Sequence, residues 1–254
     1  MARPFVSGSS LELMATLHPM GSFATFHLVS WRNPFVALAR LGLDRWSLRR
    51  VEGVQFWRLC GTGRGAQTSP SADLSRTAAF IVWKDEQTYE AFVATHSIFA
   101  RWSSPRLVRE HWSTKLKTTG GHGSWKGYKP YEHLSPGQAD GVVAVITRAD
   151  IRARSWRAFA RAGVEVDQQL QVAPGLIAVC GIGEAPIGRQ GTFSLWSSLD
   201  DARRFAFQTS RHRHVIDETH QENWYAEELF ARFEPYDADG LWDGRNPLST
   251  ARNA

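Results

Sequence analysis

The feature that most constrains this chain is that much of it is written twice. Leu38-Ala39-Arg40-Leu41-Gly42 returns as Phe159-Ala160-Arg161-Ala162-Gly163, and Cys60-Gly61-Thr62-Gly63 returns as Cys180-Gly181-Ile182-Gly183. Phe80-Ile81-Val82-Trp83 returns as Phe193-Ser194-Leu195-Trp196, with Phe92 and Phe205 equally spaced beyond. Gly123-Ser124-Trp125-Lys126-Gly127-Tyr128-Lys129-Pro130 returns as Gly240-Leu241-Trp242-Asp243-Gly244-Arg245-Asn246-Pro247. Matches that keep one order through both halves mark an internal duplication, so the fold must be assembled from two like units.

Local pattern says what each unit is. Phe23 to Trp31 alternates as a strand, and Trp31-Arg32-Asn33-Pro34 opens a helix with proline in its first turn. Phe35, Leu38 and Leu41 recur at helical spacing, and Gly42 is read as the stop. Strands are predicted over Val54 to Cys60, Ala78 to Trp83 and Trp112 to Lys117, with a helix beginning near Asp85. This is the strand, helix, strand, strand, helix, strand order of a ferredoxin-like unit. The order repeats with strands over Val142 to Thr147, Gly175 to Cys180, Thr192 to Trp196 and Leu229 to Phe233. Its helices run from Ser155 to Ala162, stopped by Gly163, and onward from Asp200.

The predicted organisation is a flexible arm at 1–21, a first unit at 22–134, a linker around Ser135-Pro136-Gly137, and a second unit at 141–248. A sheet with helices on one face leaves its other face apolar and bare. Packing the two bare faces together gives an α+β fold of tandem duplicated ferredoxin-like (βαββαβ) units closed into one intrachain barrel, with helices outside. The natural ligand pocket then lies between sheet and helix layer, with Trp83, Trp196, Phe80 and Phe193 as lining candidates; aromatic residues at strand spacing are more often plain core.

Composition and motifs exclude several classes. No run of 18 apolar residues exists, and Met1 to Met20 lacks a basic region followed by an apolar block, so a cytoplasmic protein without a spanning segment is expected. Cys60 and Cys180 sit in apolar runs, as buried small hydrophobes rather than a disulfide. The net charge of +5 comes from scattered arginines with no basic run interleaved with aromatics, which argues against nucleic acid and leaves an acidic partner protein open. Both glycine turns lead into another strand, not directly into a helix, so they are hairpin connections and not phosphate loops. There is no Gly-x-Ser-x-Gly elbow, and the neighbours Glu227-Glu228 and Asp200-Asp201 do not share a face. No catalytic residue is assigned.

Histidine is more specific. Residues two apart on a helix diverge, so His212 and His214 cannot converge on one ion. Phe205, Thr209, His212 and Ile216 form one helical stripe, which turns His212 inward. On pattern alone, a lone inward histidine is more often a hydrogen-bonded core residue than a metal ligand.

A wider set of segments resembles one known family. Thr147-Arg148-Ala149-Asp150-Ile151-Arg152, Gly181-Ile182-Gly183-Glu184-Ala185-Pro186, Arg189-Gln190-Gly191-Thr192-Phe193-Ser194-Leu195-Trp196, His212-Arg213 with Ile216, and Trp224 to Phe233 are similar to the spheroidene monooxygenase family of carotenoid biosynthesis. In the first half the likeness is looser, carried by Phe56-Trp57-Arg58-Leu59-Cys60-Gly61, Glu110 with Trp112, and Gly123-Ser124-Trp125. The resemblance implies a dimeric α+β barrel enzyme, related in fold to chlorite dismutases and aldoxime dehydratases. It implies haem b on one proximal histidine of the second half, where His212 stands, with His214, His220 and His96 as alternatives in that order. It further implies oxidation of an apolar substrate by dioxygen, with electrons from a ferredoxin-type donor. Phe193, Trp196, Phe205 and Ile216 are then the candidate apolar lining. Arg148, Arg152 and Arg189 are candidates for distal donation, propionate binding or salt bridging. A haem enzyme acting on an N–O bond and a non-catalytic haem- or ligand-binding barrel are the alternatives, and the oligomeric state is open.

Overall fold

The computed structural model describes residues 21–66, 72–185, 188–208 and 224–251. Strands β1 (Phe23–Trp31), β2 (Val54–Gly63), β3 (Ala72–Trp83) and β4 (Val108–Gly123) form the first unit. Strands β5 (Val143–Ile151), β6 (Leu176–Gly183), β7 (Arg189–Trp196) and β8 (Tyr225–Gly240) form the second. Helices α1 (Pro34–Leu48), α2 (Glu86–Thr95) and α3 (Ser97–Trp102) belong to the first unit. Helices α5 (Trp156–Gln171) and α6 (Leu199–Gln208) belong to the second, and a single turn, α4 (Pro130–His133), leads out of the first unit.

Side-chain chemistry sets the helix starts. Asn33 accepts the Phe35 amide at 2.9 Å with Pro34 at the first helical position, and Asp85 accepts the Thr88 amide at 2.8 Å. The helix ends differ from expectation. α1 runs through Gly42 and α5 through its counterpart Gly163. An interior glycine costs only about 1 kcal/mol relative to alanine, and burial of Ala37, Asp44 and Leu48 along one face of α1 carries the helix past it.

Within each unit the strand order is the ferredoxin-like one, β4-β1-β3-β2 and β8-β5-β7-β6, antiparallel throughout. The two sheets join edge to edge into one closed barrel. One seam is short, pairing Gly61 with Gly183 and Thr62 with Ile182, so the repeated Gly-x-Gly segments lie in the strands and stitch the halves together. The other seam is long and pairs β4 with β8 from Trp112–Gly240 to Gly123–Leu229.

The long seam ends in two equivalent clasps. Lys126-Gly127 and Asp243-Gly244 are two-residue turns with positive φ throughout (52° and 76°, 52° and 80°). Glu227 of the second unit accepts both amides of the first turn, and Glu110 of the first unit accepts both amides of the second. Gly123 and Gly240 lie where a Cβ would run into the carbonyl oxygens of Glu228 and His111, which is why both repeats keep glycine there. The barrel interior is packed with apolar side chains. Phe26 stacks on Phe193 across it at 3.8 Å, and Cys60 and Cys180 are free and buried within it; burial pushes both thiols up, Cys180 to about 12.

Candidate functional site

Strand alternation sends every second side chain outward under the helices, so each unit has its own layer between sheet and helix. Register aligns the two layers. Phe26 pairs Phe80 and Ile146 pairs Phe193, so Thr25, His27, Val29 and Trp31 correspond to Val145, Thr147, Ala149 and Ile151, and Ile81 corresponds to Ser194.

The first layer is densely packed around a small cavity lined by Val29, Trp31, Asp44, Thr77 and Trp102. Trp31, Trp83, Phe92, Ile98 and Trp102 are buried in one cluster. Two of its indoles pair internally, Trp31 Nε1 donating to Thr77 Oγ1 and Trp83 Nε1 to Thr25 Oγ1, both at 2.9 Å, while Arg101 Nε beside Asp44 lacks a partner. His27 bridges Thr25 Oγ1 at 3.0 Å and His111 at 3.1 Å. Burial, then the neighbouring His111, hold His27 well below the usual imidazole range; burial brings His111 to about 4 despite Asp239.

The second layer is trimmed. Its buried core is Val143, Val145, Leu170, Trp196 and Ala202, with Phe205 and Phe230 packed alongside. Threonine, alanine, isoleucine and serine stand where the first layer has His27, Val29, Trp31 and Ile81. Trp196 Nε1 donates to Ser194 Oγ at 3.0 Å, and the Thr147 and Thr192 hydroxyls meet at 2.8 Å. Among the described residues, two buried donors on this face lack a hydrogen-bond partner, the Gln190 amide nitrogen and Arg232 Nε. Each follows by strand alternation from an outward residue: Gln190 from Trp196 through Ser194 and Thr192, Arg232 from Phe230, whose ring stacks on His122 at 5.4 Å. Burial, and then Arg203 of α6, lower the Arg232 pKa. Buried donors left unpaired at this cost mark a place where an acceptor is wanted.

The residues singled out from sequence separate accordingly. Trp196 and Phe205 come together in the second layer, ring centroids 5.5 Å apart. Phe193 and Phe80 do not join them, because alternation turns both into the barrel interior. Arg148 is buried at one rim of the barrel, bonded to Glu227 at 2.6 Å, Asp150 at 3.3 Å and Glu184 at 3.4 Å. Arg189 joins that rim through Asp150 at 3.2 Å, and Glu184 also pairs Arg58 at 3.2 Å. Arg148 is thus committed to an ion network and faces away from the helix layer. Arg152 is exposed beyond β5, its amide donating to the Trp224 carbonyl at 2.8 Å. His96 belongs to the first unit, where its ring nitrogen accepts the Ile98 amide and caps α3. His212, His214, Ile216 and His220 lie outside the described residues. Sequence reasoning missed Thr147, Gln190, Thr192 and Arg232. Counting back by twos from Trp196 would have found Gln190 and Thr192.

No protein-family model matches the chain. A spheroidene monooxygenase of Rubrivivax gelatinosus is 34% identical over 196 residues, covering 76% of this chain and 73% of the relative. The chain belongs to the spheroidene monooxygenase family. The spheroidene monooxygenase of Cereibacter sphaeroides is 27% identical over 234 residues, 92% of this chain and 72% of that one. Family membership makes the chain an oxidoreductase of the monooxygenase type. Among solved structures, an aldoxime dehydratase superposes with a TM-score of 0.59 at 12% identity, covering 92% of this chain and 88% of that one. Another, crystallised with butyraldoxime, gives 0.52 at 13%, covering 91% and 85%. These two share the fold of this chain. Among the described residues no helix is long and apolar enough to cross a membrane.

Proposed function

We propose that this family member is a haem-dependent monooxygenase that oxidises an apolar, carotenoid-type substrate, with haem b in the second helix layer. The observation that carries the reading is the trimmed face under α5 and α6, with its two unpartnered buried donors. The residues present fit such a group: an apolar wall of Trp196, Phe205 and Phe230, with the half-buried Arg232, whose Nε is unpartnered, and the buried Gln190 amide for carboxylate groups. His212 would hold the iron, Ile216 would extend the apolar wall, and Arg232 and Gln190 would take the acidic edge, with Arg152 as a further cation at the rim. Phe193 would act from the opposite face of β7, fixing the strand that carries Gln190, Thr192 and Trp196.

Bound haem supplies the redox chemistry of dioxygen activation; the chain's own part is to orient the group, exclude water and seat the substrate. A neutral His212 would be held in one tautomer by a partner on its second ring nitrogen. The relatives' name supports a carotenoid-like substrate. The net charge of +5 supports an acidic, ferredoxin-type electron donor.

The test is the absorption spectrum of the full chain with haem supplied, beside His212→Ala and Arg232→Leu. A Soret band in the parent that is lost or shifted in His212→Ala, with haem affinity lowered about tenfold in Arg232→Leu, is expected. A parent without a Soret band would sink the haem reading. A band indifferent to His212 would move the ligand to His214 or His220.

A further inference from the structure

The repeat brings out one surface that neither the fold nor the proposed site uses. α1 and α5 are equivalent helices, yet they expose their apolar residues to different extents. On α1, Phe35, Leu38, Leu43 and Trp46 are 80%, 64%, 57% and 58% exposed, with exposed Ala39 and Gly42 among them. Spacings of three and four place Phe35, Leu38, Gly42 and Trp46 on one outward stripe.

The polar residues of the same helix are turned inward. Asp44 is buried and paired with Arg101 at 2.9 Å and Arg40 at 3.7 Å, and Arg45 bonds the carbonyls of Leu59 and Glu184. The helix is therefore apolar on its outer face as well as on the inner one, where Ala37, Leu41 and Leu48 pack. On α5 the counterparts of Phe35, Leu38 and Leu43 are also apolar, but Trp156 and Phe159 are half-buried, Val164 is 44% exposed, and Asp167 stands where α1 has Trp46. A duplicated fold does not require so exposed a stripe, because α5 builds the same barrel with its two aromatic counterparts partly covered and an acid in place of the tryptophan.

Basic residues flank the apolar stripe. Arg32 is exposed just before α1, and Arg49 and Arg50 are exposed just after it; the Arg50 guanidinium lies 3.5 Å from the Trp46 ring centroid. Glu52 is the nearest acidic residue beyond the helix in sequence. An apolar stripe of Phe, Leu and Trp between arginines is the composition of a helix that lies in a membrane interface. At 15 residues α1 is too short to span a bilayer. We propose that α1 docks the protein, in plane, on an anionic lipid bilayer, with Phe35, Leu38 and Trp46 inserted and Arg32, Arg49 and Arg50 on the headgroups. Delivery of an apolar substrate from that bilayer rests on the proposed function; the docking does not.

The experiment is sedimentation of the full chain with phosphatidylglycerol/phosphatidylcholine vesicles and with phosphatidylcholine alone. Variants are Phe35→Ser/Leu38→Ser/Trp46→Ser and Arg49→Gln/Arg50→Gln, each checked by circular dichroism and sedimentation velocity. Partitioning to anionic vesicles should fall roughly tenfold or more in the apolar variant and about fivefold per arginine removed. If the apolar variant unfolds, the arginine variant decides alone. Vesicle binding that is absent, or equal in parent and variants, overturns the proposal. So does a parent dimer that the apolar variant makes monomeric, which assigns the face to a second copy. Trp46 already shielded from acrylamide in the vesicle-free monomer, judged against Trp46→Phe, assigns it to another segment of the chain and overturns the proposal as well.

Discussion

The two helix layers descend from one sequence unit and have gone opposite ways. The first layer spends its volume on Trp31, Trp83 and Trp102 and closes polar atoms on one another through Thr25, His27, Thr77 and His111. The second keeps a tryptophan, Trp196, at the Trp83 place but has Ile151 for Trp31, Thr147 for His27 and Ser194 for Ile81, and among the described residues it leaves Gln190 and Arg232 Nε short of partners. Both cover the same barrel, so the difference is not demanded by folding. A packed layer with satisfied polar groups maximises stability, whereas a trimmed layer with orphaned donors gives up stability where a ligand can restore it.

The largest expected effect lies in the filled layer. Trp102→Ala removes a side chain only 2% exposed and should cost about 3–5 kcal/mol in urea unfolding while leaving any Soret band of the haem-loaded protein in place. A small stability loss together with a lost band would break the division of labour between the layers.

Acid should act next, and also through the first layer. His27 and His111 are held below the ordinary value of 6.5, His111 at about 4. Between those values the unfolded chain binds protons that the native chain refuses. For His111, stability is therefore lost as pH falls from about 6.5 towards about 4, a contribution of about 3 kcal/mol, and His27 acts in the same direction. His111→Gln should flatten that slope in melts taken from pH 7.5 to pH 4. An unchanged slope would show that the buried pair is not what titrates.

The smallest effect sharpens the equivalence itself. Ser194→Ala leaves the Trp196 indole N–H without its acceptor and should cost about 1–3 kcal/mol. Adding Val145→Thr recreates the bond that Thr25 makes to Trp83 at the matching position and should recover part of the loss. Failure of the second change to rescue the first would mean that the two layers no longer share a register.

Much of the architecture was legible because it is periodic. The four matched segments and the alternation from Phe23 to Trp31 led to two ferredoxin-like units and one barrel. Helix ends were misplaced at Gly42 and Gly163, where burial further along the helix outweighs one glycine. Candidate lining residues were chosen by residue type, which put Phe193 beside Trp196, although three positions along a strand set them on opposite faces. Arg148 looked like a ligand-facing cation for the same reason, and no local signal announces that Glu227, Asp150 and Glu184 gather around it.

The sequence by itself determined that there are two copies of one unit, where most strands lie, which family the chain resembles and which histidines are available. Those are properties of neighbours along the chain. Tertiary structure alone decided which carboxylate clasps which turn, which arginine is consumed by ion pairs, which layer is full and which is trimmed, and that α1 turns its charges inward and its aromatics out. Each depends on residues from different elements, such as Arg148 with Glu184 or Lys126 with Glu227, meeting in the closed barrel. That contact is set by the closure of the barrel and not by local propensity.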